Sequence, residues 1–179
     1  DGPLVEFVRR ELPPDRTWRL KVRTGDAREV LARAPGGAFD LVVVDVFAGA
    51  RTPAHLTSVE FLQEVARALD DGGLWAANIT DGAGSLAFAR AQVATARAVF
   101  PHTALITEPA VLRGRRFGNL ILLGSARELP IAELTTAIGR DPFPGRVEHG
   151  PPLERFTGGA RPVTDATAAD SPAPPDGTF

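Results

Sequence analysis

The sequence predicts an α/β protein with a mainly parallel sheet. Helix-like segments with an apolar stripe alternate along the chain with strand-like segments, which is typical of this class. Residues 41–44 are four consecutive branched aliphatics without alternation, and they indicate a strand that is buried on both faces. Helix-capping motifs recur between the predicted strands, as expected where helices connect them.

The first predicted elements are a helix and a strand. Pro3 suits the first turn of a helix, because its missing N–H costs nothing there, and the Pro-Pro pair at 13–14 ends that helix. Residues 17–23 then alternate between apolar and polar side chains, which predicts a half-buried strand. The apolar members of that strand are Trp18, Leu20 and Val22.

Capping motifs mark the next two helices. Asp26 lies three residues before Glu29, which resembles a capping box and predicts that a short helix begins there. Residues 57–60, Thr-Ser-Val-Glu, form a second capping box, and the Gly-Gly pair at 72–73 ends the helix that follows it. The apolar stripe of that helix consists of Phe61, Leu62, Val65 and Leu69.

The later elements continue the alternation. Residues 74–79 are predicted to form a buried strand, and the Ala-rich residues 84–99 a helix. Two further strands are predicted at 103–107 and 117–123, joined by an Arg-rich turn, and a last helix at 131–138.

Composition separates one folded domain from a terminal tail. We expect an α/β domain over residues 1–157. Residues 158–179 are rich in Pro, Ala and Asp, and we expect this tail to be poorly ordered unless it folds over a site.

Charge and residue usage exclude several functional classes. The chain has 179 residues, a formal net charge of −2 and no cysteine, so we expect no nucleic-acid partner and no thiolate metal site. No apolar run approaches the ~20 residues that span a bilayer, so we expect no membrane association. Three scattered histidines offer no convincing metal site. We therefore expect a cytoplasmic protein that needs no metal.

Two aspartates are placed where α/β proteins bind ligands. Asp45 ends the predicted 39–44 strand and precedes an irregular loop, and ligands of open α/β sheets bind outside the carboxyl ends of the strands. This carboxylate is a candidate general base, and the alternative is that it merely caps a turn. Asp26 follows the preceding strand, where it can bind an adenine or a ribose, or serve as a plain helix N-cap.

Several stretches together resemble the polyamine aminopropyltransferase (spermidine synthase) family, which shares the Rossmann-like fold of S-adenosylmethionine-dependent methyltransferases. The matching stretches are Gly-Asp-Ala at 25–27, residues 39–45 and residues 60–74, in this order and spacing. Residues 1–5 are similar to the run after the family's second strand, and Pro-Val-Thr-Asp at 162–165 is similar to a Pro-Leu-Thr-Asp element of some relatives. The resemblance covers most of residues 1–125.

The resemblance implies a reaction and a set of site residues. An aminopropyl group passes from decarboxylated S-adenosylmethionine to an amine such as putrescine, with Asp45 accepting a proton from the amine or orienting it. His55 is a second candidate for proton transfer, and a surface histidine beside a helix cap is the alternative. The residues expected to bind the donor are Asp26, Ala27 and Asp1, and those expected to bind the amine are Phe47 and Asn78.

Three features of the family are missing from this chain. Ala48 stands where the family usually carries the second carboxylate of an Asp-x-x-Asp motif, which forfeits a charge-assisted hydrogen bond worth about 1.5–3 kcal/mol. The family's active-site tyrosines are absent, because the chain contains no Tyr, and so is its Gly-rich loop. Two alternatives therefore stay open: methyl transfer from S-adenosylmethionine on the same scaffold, and a non-catalytic scaffold or assembly domain.

The implied fold is a Rossmann-like, methyltransferase-type three-layer sandwich that ends in an antiparallel strand pair. Its strand order is 3-2-1-4-5-7-6, and the first two strands are expected to be absent from this chain, which makes it N-terminally truncated. The strand at 39–44 is then left with an unpaired edge. We expect this edge either to pair with the strand at 17–23 or to form a homodimer.

Overall fold

The computed structural model describes residues 2–15, 17–82 and 84–175. The chain divides into two compact units, Asp1–Ala34 and Pro35–Phe179.

The first unit contains two helices, α1 (Gly2–Glu11) and α2 (Ala27–Ala32). The prediction of a strand at residues 17–23 is wrong, because these residues form a turn and irregular backbone. A strand needs a hydrogen-bonded neighbour, and the described part of this unit contains no other strand to provide one. The predicted pairing of this strand with residues 39–44 is therefore not formed.

The second unit is built on a five-stranded sheet with the order β1-β2-β4-β3-β5. The strands are β1 (Phe39–Val44), β2 (Leu69–Asp81), β3 (His102–Thr107), β4 (Gly118–Ser125) and β5 (Arg146–His149). β1 and β2 are parallel, whereas β4 lies antiparallel to both β2 and β3, and β5 lies antiparallel to β3. The sheet is mixed, so the prediction of a mainly parallel sheet is wrong. Apolar runs indicate burial but do not fix strand direction.

Five helices accompany this sheet in the described residues: α3 (Val59–Ala68), α4 (Ala87–Val99), α5 (Pro109–Leu112), α6 (Ile131–Gly139) and α7 (Gly150–Thr157). The N-cap of α3 is Ser58, whose Oγ accepts a hydrogen bond of 3.1 Å from Phe61 N. Thr57, the cap position implied by the predicted capping box, instead donates its hydroxyl to Ala54 O at 2.7 Å. The helix therefore begins one residue later than the motif predicts.

The core lies between the sheet and helices α3 and α4. Its fully buried side chains include Phe61, Leu62, Val65, Val93, Leu105 and Leu120. Trp75 stacks on Phe100 with ring centroids 5.7 Å apart. Gly124 leaves room for this pair, since a Cβ there would lie 2.5 Å from the Phe100 ring.

β1 is an edge strand of the sheet. It pairs with β2 on one side, and Leu41 and Val43 are 51% and 61% exposed whereas Val44 is 8% exposed. The prediction that this strand is buried on both faces is therefore wrong. A run of aliphatics is compatible with an edge position when one face of the strand packs and the other does not.

The described part of the C-terminal segment, residues 158–175, packs against α3, α4 and the loop after β1. Val163 O accepts a hydrogen bond from Val59 N at 2.8 Å, and Val163 N donates to Thr95 Oγ1 at 2.9 Å. Ser171 is completely buried and bonds to the backbone of Thr52 on both sides, as acceptor and as donor. The segment thus holds the loop in place.

Across the described ranges, the structure contains no helix of the length and apolar character required to cross a membrane.

Candidate active site

Asp45, which directly follows β1, meets Asn78, which lies in the last part of the parallel strand β2. The register pairs Val44 with Ala77, so the residues that follow them are neighbours across the ladder. Asn78 Nδ2 donates a hydrogen bond of 3.0 Å to Asp45 Oδ1. Asp45 is exposed, whereas Asn78 is half-buried. The amide therefore fixes one carboxylate oxygen and leaves the group accessible to a ligand.

A pocket of about 390 Å³ opens beside this pair. Its lining comes from the loop after β1, from the end of β2 and from the start of β4. The lining residues are Phe47, Ala50, Asn78, Thr80, Phe117, Gly118 and Asn119. Asn78 thus belongs to the pocket wall and holds Asp45 at the same time.

Close packing fixes the aromatic wall formed by Phe117. A Cβ at Gly82 would lie 2.3 Å from the Cα of Phe117, so the two backbone segments can approach this closely only because residue 82 is glycine. Gly82 directly follows β2, and Phe117 directly precedes β4. The ends of these two strands therefore determine where the ring stands.

The carbonyl oxygen of the Asn78 side chain is buried and has no hydrogen-bond partner among the described residues. An unsatisfied buried acceptor costs about 1–3 kcal/mol. Because Asn78 lines the pocket, a ligand that donates a hydrogen bond there removes this cost.

Two other carboxylates near this end of the sheet are already engaged. Asp81 is buried, and its two oxygens accept hydrogen bonds from Gly82 N and Ala89 N, both at 2.8 Å. Asp170 accepts from Ala54 N at 2.9 Å, and its other oxygen lies 3.8 Å from the guanidinium of Arg51. Both groups serve structure, and Asp45 is the carboxylate that bonds to a neutral pocket side chain.

The C-terminal segment fixes the loop that carries the pocket residues Phe47 and Ala50. Ser171 Oγ accepts from Thr52 N at 2.9 Å, and Arg51 Nε donates to Ser171 O at 2.6 Å. Ser171 Oγ also lies 3.4 Å from the hydroxyl of Thr80. No local sequence pattern indicates this contact, since Ser171 and Thr52 are 119 residues apart.

The structure brings together three of the residues predicted from the sequence, Asp45, Phe47 and Asn78. His55 lies in a short 3₁₀ turn, Ala54–Leu56, where it is exposed and does not line the pocket. Thr80 is a lining residue that sequence reasoning missed, although it shares a strand face with Asn78 two positions earlier.

The residues expected to bind the donor lie in the first unit. Asp26 is the N-cap of α2, and its side chain accepts a hydrogen bond of 3.1 Å from Glu29 N, as the capping interpretation predicted. Ala27 is the first residue of that helix. Asp1 lies outside the described residues.

Residues 2–15, 17–82 and 84–175 contain no cluster of three or more His, Cys, Asp or Glu side chains that could hold a metal ion.

Comparison with known proteins gives a family and several related structures. Residues 4–82 match the family described as S-adenosyl-L-methionine-dependent methyltransferase. The crystal structure of a probable spermidine synthase from Corynebacterium glutamicum ATCC 13032 superposes with a TM-score of 0.84 at 34% identity, covering 92% of this chain and 61% of that one. A spermidine synthase bound to the transition-state analogue AdoDATO has the same fold, with a TM-score of 0.56 at 17% identity over 93% of this chain and 55% of that one.

A curated relative matches a shorter stretch. The polyamine aminopropyltransferase of Vibrio vulnificus (strain CMCP6) is 40% identical over 60 residues, which is 32% of this chain and 20% of the relative. The chain therefore spans about three-fifths of the Corynebacterium protein and one-fifth of the Vibrio enzyme.

Proposed function

We propose that this chain, which has a spermidine synthase-like fold and matches the S-adenosylmethionine-dependent methyltransferase family, transfers an aminopropyl group from decarboxylated S-adenosylmethionine to an amine. The observation that carries the proposal is the Asp45–Asn78 pair at the carboxyl ends of β1 and β2, with the pocket beside it. The resemblance predicted from the sequence is confirmed, and it supports the donor that we name.

Asp45 acts in this proposal as the proton acceptor. The amine attacks the aminopropyl carbon next to the sulfonium, a C–N bond forms, and the C–S bond breaks with its electron pair passing to sulfur. Methylthioadenosine leaves, and the surplus proton on the amine passes to the Asp45 carboxylate. Since Asp45 is exposed, it can then release the proton to water.

Asn78 orients both partners of this proton transfer. Its Nδ2 holds Asp45 Oδ1 at 3.0 Å, and its Oδ1 is available to accept a hydrogen bond from the amine. Holding nucleophile and base in one geometry supplies much of the rate enhancement in reactions of this kind. His55, in the adjacent 3₁₀ turn, is the second proposed proton acceptor.

The donor is assigned to the first unit. Asp26 and Ala27, at the N-terminus of α2, are proposed to bind the adenine, and Asp1 is the third residue proposed to bind the donor. Asp26 is exposed, and its side chain accepts a hydrogen bond from Glu29 N. These properties fit a carboxylate that accepts a hydrogen bond from an amino group.

Methyl transfer is the second candidate, and the family match over residues 4–82 favours it. It needs a methyl acceptor in the same pocket, and Asp45, oriented by Asn78, would accept the proton of that acceptor. The two reactions differ in donor and in by-product, so one assay separates them.

The test incubates the chain with a panel of amines and either decarboxylated or intact S-adenosylmethionine, and analyses the products by mass spectrometry. We expect methylthioadenosine and an aminopropylated amine, formed in equal amounts, with the decarboxylated donor. S-adenosylhomocysteine formed from the intact donor would instead establish methyl transfer. Absence of both products, together with no binding of methylthioadenosine in calorimetry, would establish the non-catalytic alternative.

A further inference from the structure

The lining of the pocket beside Asn78 carries no charged side chain among the described residues. Phe47, Ala50 and Phe117 provide aromatic and aliphatic surface, and Thr80 adds a hydroxyl. Such a lining favours an apolar group over a second cation, because an ammonium placed there loses its water without gaining a counter-ion.

The carboxylates that a second ammonium would require are engaged elsewhere or missing. Both carboxylate oxygens of Asp81 accept hydrogen bonds, from the backbone N–H groups of Gly82 and Ala89. Asp170 bonds to Ala54 N and lies beside the Arg51 guanidinium. A cation–π contact on a phenylalanine ring is weaker than a charge-assisted hydrogen bond, so the aromatic wall does not replace a carboxylate.

One end of the site, in contrast, suits a single ammonium group. Asp45 offers a carboxylate oxygen, and Asn78 offers its buried Oδ1, which lacks a partner among the described residues. The side chains of these two residues are joined by the 3.0 Å hydrogen bond, so the Asp45 carboxylate lies directly beside Asn78, which lines the pocket.

We propose that the acceptor substrate is a monoamine with an apolar body, whose nitrogen binds between Asp45 and Asn78 while its carbon chain or ring packs against Phe47 and Phe117. The inference rests on the proposed function and narrows its substrate class. Diamines such as putrescine bind less well, because their second ammonium is left in the apolar part of the pocket.

Two amines of equal length test this proposal. Pentylamine and putrescine both have six heavy atoms in a row, and they differ in whether the far end is a methyl group or an ammonium. We expect pentylamine to show about tenfold or greater kcat/KM for aminopropyl transfer, and a correspondingly lower Kd in calorimetry without the donor. Equal or better values for putrescine overturn the inference.

A substitution in the pocket wall reverses the expected preference. Ala50 has a φ of +63°, a conformation that Asp and Asn adopt more readily than most residues, so both are suited to this position. Ala50→Asp adds a carboxylate to the pocket and should shift the preference toward putrescine by about tenfold or more. Ala50→Asn, similar in shape but neutral, should keep the preference for pentylamine, and a shift of equal size in this control overturns the charge argument.

The binding and turnover measurements test the proposed aminopropyl transfer and the proposed monoamine pocket separately. Tight binding of pentylamine without release of methylthioadenosine contradicts the aminopropyl-transfer function and supports the monoamine pocket. Release of methylthioadenosine with putrescine as the better substrate supports the function and overturns the pocket inference. Binding of neither amine overturns the inference as well.

Discussion

At the scale of single residues, Asn78 links Asp45, the proposed base, to the pocket. Its amide is planar, so the hydrogen bond from Nδ2 to Asp45 Oδ1 also fixes the direction of its own Oδ1. That oxygen is the buried acceptor without a partner among the described residues. One side chain therefore orients the carboxylate and, in the proposed reaction, also accepts a hydrogen bond from the amine.

Replacing Asn78 by alanine should reduce amine-dependent turnover. A hydrogen bond to a charged group is worth about 1.5–3 kcal/mol, so kcat is expected to fall by roughly 10- to 100-fold when Asp45 loses its donor. The KM for the amine should rise as well, since the Oδ1 acceptor is removed. Steady-state kinetics of methylthioadenosine release measure both effects.

Asn119→Ala provides the matched comparison, because Asn119 lines the same pocket but its side chain has no hydrogen bond to Asp45 in the described structure. This variant should lower kcat much less than Asn78→Ala. Equal losses in the two variants would mean that the contact with Asp45 contributes nothing to catalysis.

The sequence indicated Asp45 and Asn78 as candidate site residues, but it did not predict their contact or the pocket around them. The position of Asp45 and of Asn78 at the end of an apolar run is what indicates each as a candidate site residue. Their contact needs the register of β1 against β2, which only tertiary structure defines. Phe117 could not be predicted as a pocket wall, because it reaches the site through the antiparallel approach of β4.

At the scale of elements, the loop after β1 depends on the C-terminal segment. Ser171 is completely buried and forms two hydrogen bonds with the backbone of Thr52, and Asp170 accepts from Ala54 N. Farther back in the segment, Asp165 contacts the Ser58 hydroxyl, which caps α3. The segment therefore anchors the loop at its middle and at the helix that follows it.

Removing the Ser171 hydroxyl should destabilise this arrangement. In Ser171→Ala the buried N–H of Thr52 loses its acceptor, and an unsatisfied buried donor costs about 1–3 kcal/mol of unfolding free energy. Urea denaturation monitored by circular dichroism measures the change. Ser85→Ala, at an exposed position, is the control and should change stability by less than about 0.5 kcal/mol. Equal stability of the Ser171 and Ser85 variants would contradict the anchoring role.

Elements with strong local signals were predicted, and those defined by distant partners were not. The apolar stripe and the cap predicted α3, and the aliphatic runs predicted β1 and β2. The alternating residues 17–23 satisfy the strand pattern but have no strand to pair with in their unit. β5 was missed because its four residues, Arg146–His149, are mostly polar and are ordered by pairing with β3.

At the scale of the whole molecule, strand direction separates the prediction from the structure. The sheet combines one parallel pair with three antiparallel pairs, and β1 stands at its edge. An apolar run indicates that a segment forms a strand, whereas the direction of the strand depends on how the chain returns between strands. The parallel pair β1–β2 is the part of the sheet that places Asp45 and Asn78 side by side.

The central claim is that Asp45 accepts the proton of an amine that attacks the aminopropyl donor. The most direct measurement is the rate of amine-dependent methylthioadenosine release by the wild-type chain and by Asp45→Asn, which keeps the shape of the side chain and removes its charge. General-base catalysis contributes about 10²- to 10⁴-fold, so we predict at least a 100-fold loss of kcat in the variant with an unchanged circular dichroism spectrum. Equal rates for the two proteins would contradict the account.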